Sequence, residues 1–322
     1  MATGRVVVVG SFNVDHVWRC QALPQPGETV SGAYATGPGG KGFNQAIAAQ
    51  RAGAATSFLC ALGEDAGAQL ARSLAEADGL DLRERRSDAP TGSAGIYVDA
   101  QGRNSIVIGP GANDDLDPEF IAGHATLLAF ASVVLAQLEV PASTVLAALR
   151  AGRDAGSTTI LNPAPANVAC DAQLLALADV LTPNETEFAA LTRAHLSEFL
   201  RPDAVAGLPD ARLHALCRAL LPAGSVVLTL GAAGCFVSHA PHETRGDDAC
   251  WYRMSAQPAS TVDTTGAGDA FNGALAASWA TGPRAFAEHL RFASRFAALS
   301  TELHGAAAAI PRRAEVEARF PG

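Results

Sequence analysis

The chain has 322 residues, and its 32 acidic residues outnumber the 23 basic ones, so the formal net charge is −9 at pH 7. Nucleic acid is an unexpected partner because the sequence contains no basic stripe, and no apolar stretch approaches an uninterrupted membrane span. An apolar content of 48% in a chain of this length predicts a large α/β domain with an extensive core.

The cysteines favour a reducing compartment. All six are scattered along the chain and form no CxxC pair, which predicts reduced thiols in a cytoplasmic protein. The opening MATGRVVVVG is too short for a secretory signal and predicts a first strand instead. His239, His242 and Cys250 share one polar segment, but their spacing fits no tight set of metal ligands.

A polar turn follows the first strand, which we expect over residues 5–10. Asn13 and Asp15 lie in this turn. Ligands bind beyond the carboxyl ends of the strands in open parallel sheets, so these side chains are placed to hydrogen-bond a polyhydroxy ligand. A plain polar turn is the alternative, because Asn and Asp are common in turns.

Two segments are expected to leave the main sheet. Residues 16–36 contain extended pieces at 16–20 and 29–34 around a Pro/Gly break, and residues 93–110 contain short strands at 95–98 and 105–108. Together they predict one small β lid over a ligand site. The exposed edges of such a lid favour pairing with another chain.

A glycine-rich stretch, residues 37–45, opens the next helix. It contains Lys41, the only lysine among the 23 basic residues. A chain that otherwise uses arginine has kept one compact ammonium here, which favours a functional role for Lys41 together with Asn44. The order of residues is not that of a Walker loop, and a simple glycine-rich lead-in to a helix is the alternative.

From residue 54 onward, strand-like and helix-like stretches alternate, which predicts an α/β fold with a largely parallel sheet. Several predicted strands end in polar or glycine-rich groups, as a single ligand crevice requires. They include Glu139, Asn162 and the segments 183–187 and 229–234. Residues 193–210 and 239–250 are polar, and we expect both to be surface insertions.

The stretch DTTGAGDAF, residues 263–271, has a glycine-rich turn, an acid and then an apolar run that predicts a helix beginning at Gly268 or Asp269. Such a turn leaves backbone N–H groups accessible, and the helix directs its positive end to the same point. A carboxylate in an anion pocket is suited to accept a proton while the N–H groups hold a transferred phosphoryl group. An ordinary acidic helix N-terminus is the alternative.

Taken together, these stretches resemble the ribokinase branch of the PfkB family of sugar kinases, from about residue 5 to 311. The most specific matches are GSFNVD at 10–15, GGKGFNQA at 39–46, PNETE at 183–187 and DTTGAGD at 263–269. The resemblance implies a three-layer ribokinase-like α/β fold, with a mainly parallel central sheet flanked by helices and a small β lid. Residues 1–322 would then form a single kinase domain.

The resemblance implies ATP-dependent phosphorylation of the 5-hydroxyl of D-ribose, giving ribose 5-phosphate and ADP. Asp269 would be the general base, with an anion hole formed by the N–H groups of Gly266, Ala267 and Gly268. The sugar would be held by Asn13, Asp15, Gly40, Lys41, Asn44, Glu139 and Asp269. The nucleotide would be held by Asn184, Glu187, Thr229, Gly231, Gly234 and Gly268, with Glu187 reaching Mg²⁺ through water.

A monovalent cation site, for K⁺, is also implied beside the anion hole. It would be formed by Asp263 and the carbonyl groups of Thr265, Ser300, Leu303 and Gly305. Ala309 stands where the family often has a serine, which removes one ligand. Phe43 stands where a smaller residue is usual, and we expect it to reshape the sugar pocket.

Other functions remain as alternatives. Within the family, a fructokinase-like or nucleoside kinase is the closest one. A non-catalytic sensor would have lost the base or the anion hole, and an oxidoreductase would need G-x-G-x-x-G after the first strand. The expected partners are the sugar, ATP and, by resemblance, a second copy of the chain that pairs through the lid. Nucleic acid and membrane are not expected.

Overall fold

A computed structural model describes residues 4–321. Its strands are β1 Arg5–Val9, β2 Asn13–Cys20, β3 Gly32–Gly39, β4 Ala55–Leu62, β5 Asp81–Arg86, β6 Gly92–Val98, β7 Asn104–Gly109, β8 Val133–Ala136, β9 Thr158–Leu161, β10 Val180–Leu181, β11 Ser225–Thr229, β12 Cys235–His239 and β13 Trp251–Met254. The α-helices are α1 Lys41–Arg51, α2 Ala66–Asp78, α3 Pro118–Gly123, α4 Ala125–Ala129, α5 Ala142–Asp154, α6 Ala172–Ala176, α7 Glu185–Leu196, α8 Pro202–Val205, α9 Asp210–Leu220, α10 Ala267–Ala280, α11 Phe286–Ser300 and α12 Arg313–Arg319. Short 3₁₀ turns cover Gly111–Asp115, Gly231–Ala233 and Ala307–Ala309.

The central sheet has nine strands in the order β13-β12-β11-β10-β9-β8-β1-β4-β5. All pairings from β11 to β5 are parallel, and only β12 and β13 add antiparallel strands at one edge. The predicted α/β class with a mainly parallel sheet is confirmed. The carboxyl ends of the parallel strands therefore share one edge, where a ligand crevice is expected.

The valine run of β1 shows why this strand lies inside the sheet. Val6 and Val8 pack into the core on one face, with helices α1, α10 and α11, while Val7 and Val9 pack into the core on the other face, with α5, α7 and α9. All four side chains are fully buried. A strand covered on both faces is apolar at every position, so the run specifies a three-layer arrangement.

The lid is a separate four-stranded sheet in the order β3-β2-β6-β7. Its strands are longer than expected, and the extended piece predicted at 29–34 is instead β3, Gly32–Gly39. The physical reason is strand pairing: β3 pairs with β2 along its whole length, from Gly32 opposite Cys20 to Gly39 opposite Asn13. The lid is thus continuous with the segment that carries the polar turn.

The two polar segments are not simply surface insertions. The first includes the end of α7 and all of α8, where Val205 is fully buried. The second begins with the buried His239, whose imidazole is hydrogen-bonded to the Ser225 hydroxyl at 2.8 Å and to the Asp247 carboxylate at 3.1 Å. These contacts attach the connection between β12 and β13 to β11, which composition alone could not reveal.

Within residues 4–321, no helix is both long enough and apolar enough to cross a membrane.

Candidate active site

The carboxylate of Asp269 lies in the first turn of α10. This helix begins at Ala267, slightly earlier than predicted, and its N-terminal cap is Gly266 in the left-handed conformation with a φ of 76°. Ala306 packs against Gly266, and a Cβ atom added to Gly266 would lie only 3.0 Å from the Ala306 Cα atom. Glycine is therefore needed both for the turn and for the close approach.

The N–H groups expected to form an anion hole belong to this turn, and one of them has a partner within it. That of Ala267 donates to the Thr264 carbonyl oxygen at 3.2 Å, within the turn. The groups of Gly266 and Gly268 belong to the same turn, where the helix dipole adds positive potential.

Two amide side chains of α1 hold the Asp269 carboxylate. Asn44 Nδ2 donates to Oδ2 at 2.9 Å, and Gln45 Nε2 donates to Oδ1 at 2.9 Å. Burial raises the pKa of Asp269, while the Lys41 ammonium and the hydrogen bonds from Asn44 and Gln45 act in the opposite direction. The carboxyl group therefore has the raised pKa of a base, together with donors that favour its ionised form.

Asn44 also carries an unused acceptor. Its side chain is 5% exposed, and its Oδ1 has no hydrogen-bond partner among the described residues. A buried polar atom without a partner is uncommon and costs free energy. The atom is therefore available to a ligand hydroxyl next to the oxygen that Asn44 Nδ2 contacts on Asp269.

Lys41 is the first residue of α1 and lies among acidic groups. Burial alone would lower the pKa of its ammonium, but nearby carboxylates outweigh burial and raise the pKa; they are those of Asp269, Glu139 and Glu187. The single lysine thus stays protonated and partly neutralises an otherwise acidic crevice. This agrees with the inference drawn from its being the only lysine.

Glu139 is fixed by the first strand and by α1. Its Oε2 accepts a hydrogen bond from the Ser11 hydroxyl at 2.6 Å and another from the Lys41 backbone N–H at 3.0 Å. Sequence reasoning did not select Ser11 as a site residue. Its position directly after β1 was the available signal, because it lies at the same sheet edge as Asn13.

Asn13 and Asp15 begin β2, at the junction of lid and sheet. Asn113, which sequence reasoning also missed, donates to Asn13 Oδ1 at 2.9 Å and pairs with both backbone polar groups of Phe12. Burial, with the nearby Glu139 and Asp269 carboxylates, raises the pKa of Asp15 to about 7.

Gly40 permits the approach of α1 to this turn. It has a φ of 88°, and a Cβ atom there would lie 2.8 Å from the Asn13 backbone nitrogen. Phe43, expected to reshape the sugar pocket, is 1% exposed and packs edge-on against Phe12, with ring centroids 5.0 Å apart. The ring thus belongs to the core, where it also packs against Phe58.

The residues expected at the nucleotide lie on neighbouring strand ends. Asn184 caps α7 and forms a capping box with Glu187, whose two carboxylate oxygens accept from Asn184 N at 2.8 Å and from Asn184 Nδ2 at 3.0 Å. Asn184 also forms a β-bridge with Thr229. Burial raises the pKa of Glu187.

Gly231 and Gly234 form the turn between β11 and β12, with φ values of 52° and 89°. A Cβ atom at Gly234 would lie 2.0 Å from the Met254 carbonyl oxygen, so this position admits only glycine. The turn leads directly from Thr229, so these residues form one rim of the crevice.

Asp263 connects the two segments that were expected to bind a monovalent cation. Its Oδ1 accepts from the Thr265 N–H at 2.9 Å and from the Thr265 hydroxyl at 2.6 Å, and its Oδ2 accepts from the Gly305 N–H at 3.1 Å. Burial alone would raise the pKa of Asp263, but these hydrogen bonds outweigh it and lower the pKa. Ser300 ends α11, where the dipole favours a cation. Leu303 is exposed, and Ala309 is buried in its own 3₁₀ turn.

A parallel α/β sheet whose crevice holds a buried carboxylate at a glycine-capped helix N-terminus defines a phosphotransferase of the kinase class. The chain belongs to the pfkB family of carbohydrate kinases, because the sequence model of that family, "pfkB family carbohydrate kinase", matches residues 3–313.

Relatives support this membership over the whole chain. The ribokinase of Haemophilus influenzae is 35% identical over 314 residues, which cover 96% of each protein. A bifunctional ribokinase/ribose-5-phosphate isomerase A of Fructilactobacillus sanfranciscensis is 35% identical over 315 residues, and the chain spans 55% of its length. Among solved structures, Arabidopsis thaliana ribokinase complexed with ribose and ATP has a TM-score of 0.80 and 32% identity, covering 100% of both chains.

Proposed function

We propose that this chain is an ATP-dependent kinase that phosphorylates the 5-hydroxyl of D-ribose, giving ribose 5-phosphate and ADP. One observation carries the proposal: the buried Asp269 carboxylate, held by Asn44 and Gln45, lies at the glycine-capped N-terminus of α10. The ribokinases among its relatives, one of them solved with ribose and ATP, supply the substrate class.

In this mechanism Asp269 accepts the proton of the sugar hydroxyl as the hydroxyl oxygen attacks the γ-phosphorus. The N–H groups of Gly266, Ala267 and Gly268 stabilise the charge on the transferred group. The group from Ala267 would exchange its long bond to the Thr264 carbonyl oxygen for a phosphoryl oxygen.

The sugar is held at the junction of lid and sheet. Asn44 Oδ1 is free to accept from one of its hydroxyl groups. Asp15 and Glu139 supply carboxylate acceptors, and Asn13, whose Oδ1 accepts from Asn113, contributes its amide. Gly40 and Lys41 complete the set from the start of α1, where Gly40 gives backbone access.

ATP lies along the rim formed by Asn184, Thr229, Gly231 and Gly234. Mg²⁺ typically keeps several waters and uses one or two carboxylates together with phosphate oxygens. Glu187 fits this pattern: it is a single buried carboxylate whose oxygens accept from Asn184, and it would reach the ion through water. When bound, Mg²⁺ would neutralise the negative charge of the ATP phosphates, which the acidic residues around Lys41 cannot do.

K⁺ is proposed beside the anion hole, bound by Asp263 and the carbonyl groups of Thr265, Ser300, Leu303 and Gly305. The hydrogen bonds of Asp263 to Thr265 and Gly305 support it, because they hold both segments together. Ala309 supplies no side-chain oxygen, so activation by K⁺ is expected to be modest.

A homodimer through the lid is proposed from the apolar surface of its edge strand β7. Ile106, Val107 and Ile108 are 51%, 66% and 46% exposed, which is unusual for three successive apolar residues. A cytoplasmic location is proposed from the reduced cysteines, four of which are buried.

A coupled ADP-release screen over ribose, deoxyribose, fructose, adenosine and uridine, each with and without K⁺, tests the function. We expect the highest kcat/KM on ribose. Highest turnover on fructose or a nucleoside would replace the substrate while keeping the kinase, and the absence of ADP release on every acceptor would contradict the proposal.

A further inference from the structure

Beyond the base itself, a set of buried amide and hydroxyl side chains surrounds the first turn of α10. We propose that these groups form a positioning ring that fixes the orientation of Asp269 and of the anion-hole turn. The ring consists of Gln45, Asn162, Thr182 and Asn272, and it closes through Gly268 and Asp269. The inference rests on the proposed role of Asp269 as the general base.

The ring can be followed atom by atom. Gln45 Nε2 donates to Asp269 Oδ1 at 2.9 Å and to Asn162 Oδ1 at 3.1 Å. Asn162 Nδ2 donates to the Thr182 carbonyl oxygen at 2.9 Å. The Thr182 hydroxyl donates to Asn272 Oδ1 at 2.6 Å, and Asn272 Nδ2 donates to the Gly268 carbonyl oxygen at 2.8 Å.

The backbone fixes the direction of every amide in this ring. The carbonyl oxygens of Thr182 and Gly268 can only accept, so the NH₂ groups of Asn162 and Asn272 must face them. Asn162 therefore presents its oxygen to Gln45, and the NH₂ group of Gln45 must face both that oxygen and Asp269. The ring presents a donor, never an acceptor, to Asp269 Oδ1.

Gln137 completes the orientation from outside the ring. Its Nε2 donates to Gln45 Oε1 at 2.5 Å, so the remaining polar atom of Gln45 is also satisfied. Gln45 and Gln137 are fully buried, and the ring residues are at most 6% exposed. Gln137 Oε1 itself has no partner among the described residues. Rotating the amide of Gln45, Asn162 or Asn272 would leave further buried groups unpaired, which makes the ring stiff.

The ring also joins four separate elements. Gln45 comes from α1, Asn162 follows β9, Thr182 follows β10, and Asn272 lies one turn after Asp269 on α10. Hydrogen bonds across these elements hold the carboxylate and the N–H groups of one turn in a fixed relation. Such positioning matters because a misplacement of about 1 Å can cost about 100-fold in rate.

The test compares Gln45→Leu, Thr182→Val and the control Thr144→Val by steady-state kinetics with ribose and ATP from pH 5 to 9. Thr144 is a fully buried threonine on α5 whose hydroxyl donates to the Leu116 carbonyl oxygen, outside the ring. We expect Gln45→Leu to lower kcat about 10- to 100-fold with the ribose KM unchanged. The acid limb of the kcat–pH profile of this variant should move to higher pH, because the lost hydrogen bond from Gln45 favours the ionised form of Asp269.

Thr182→Val is expected to lower kcat about threefold to tenfold without moving the acid limb, because it touches the ring but not Asp269. Thr144→Val should keep the wild-type kcat. The proposal would be overturned if Gln45→Leu kept the wild-type kcat and the wild-type acid limb, or if only its ribose KM rose. If Gln45→Leu does not fold, a kcat for Thr182→Val equal to that of Thr144→Val would overturn it. An active Asp269→Asn enzyme would instead remove the proposed base, so the two failures are distinct.

Discussion

Asn44 Nδ2 donates to Asp269 Oδ2 at 2.9 Å, and this bond joins α1 to α10, the helix that carries the proposed base. The partner oxygen of the same amide, Asn44 Oδ1, is buried and unpaired among the described residues. One side chain thus faces the base with its donor and leaves its acceptor for a ligand. We therefore expect substrate binding and the orientation of the proposed base to depend on the same residue.

Asn44→Ala is therefore expected to raise the ribose KM and to lower kcat together, with kcat/KM reduced about 100-fold or more. Steady-state ADP release measures both parameters. Gln50→Ala is the matched control, because Gln50 lies on the same helix and its amide bonds to backbone groups of Asp78, Gly79 and Thr56, away from Asp269. A rise in KM with unchanged kcat would mean that Asn44 binds the sugar but does not orient the base.

Asp269→Asn keeps the shape of the side chain and removes its capacity to accept a proton. We expect kcat to fall by a factor of about 10³ to 10⁴, while ATP still binds with near wild-type affinity by titration calorimetry. ATP affinity should persist because the nucleotide contacts are proposed to lie around Asn184 and Thr229, which pair with each other rather than with Asp269. A kcat within tenfold of wild type would remove Asp269 from the mechanism.

Lys41→Met should move the acid limb of the kcat profile to higher pH. The Lys41 ammonium acts to lower the pKa of Asp269 and of Glu187, so its loss leaves both groups protonated to a higher pH. Lys41→Arg keeps the positive charge, so the acid limb of its kcat profile should lie at the wild-type pH. Its kcat should stay below the wild-type value, because a guanidinium is larger and planar. Arg150→Met, at an exposed cation, is the control. Unchanged kinetics in both Lys41 variants would mean that the only lysine has no functional role.

Asp15 gives the crevice a pH dependence near neutrality. Its pKa is raised from 3.8 to about 7 by burial and by the Glu139 and Asp269 carboxylates. Protonation removes the negative charge of Asp15 and so weakens its acceptance from a sugar hydroxyl group, and kcat/KM for ribose should therefore fall as the pH drops below about 7. Asp15→Asn should have a lower kcat/KM that lacks this inflection, and an inflection that persists in the variant would assign it to another group.

The same group predicts a stability effect of known sign. Because the folded pKa of Asp15 lies above the unfolded value, the stability contribution of its protonated form is complete below the unfolded pKa and is lost as the pH rises to about 7. Asp15→Asn should therefore raise Tm in the absence of ligands by a few degrees, roughly 2–4 °C, at pH 8 and by little at pH 4. Thermal melts at both pH values measure this difference, and an equal change at both would contradict it.

Gly273→Ala tests the packing between α1 and α10. A Cβ atom at Gly273 would lie 2.2 Å from the Gln45 carbonyl oxygen and 2.5 Å from the Ala48 Cβ atom. We expect a loss of about 1–3 kcal/mol in the free energy of unfolding and a lower kcat, because α1 must move away from Asp269. Denaturant unfolding and ADP release measure the two effects. Gly123→Ala, in an exposed helix with open space around it, should be stable and active, and equal behaviour of the two variants would contradict the packing argument.

The sequence was most informative where one chemical requirement acts on neighbouring residues. The valine run of β1 and the glycine-rich turn before Asp269 each have a local cause, and the strand and the helix predicted from them are present in the fold. The functional role inferred for the only lysine stays a prediction. The predicted positions of the strand ends were less accurate. The piece predicted at 29–34 became β3, Gly32–Gly39, because its limits depend on pairing with β2 rather than on its own composition.

The supporting residues of the site were the least predictable. Ser11 and Gln137 follow strands and Asn113 lies in the 3₁₀ turn Gly111–Asp115, and nothing in their local sequence distinguishes them from structural polar residues. Their roles follow from partners that are distant in the chain, such as Asn113 beside Asn13, 100 residues away. Likewise, the polar composition of residues 239–250 gave no sign that His239 is buried against Asp247.

By itself, the sequence determined the α/β class, the glycine-capped turn at the start of α10 and the identity of the carboxylate within it. These properties depend on backbone freedom, periodicity and charge within short segments, which the order of residues specifies directly. Only the tertiary structure decided how that carboxylate is held. Gln45 and Asp269 are separated by 224 residues, and the direction of each amide in the ring follows from backbone carbonyl groups on other elements. Hydrogen bonds between distant segments form only when the sheet has brought the carboxyl ends of its strands to one edge.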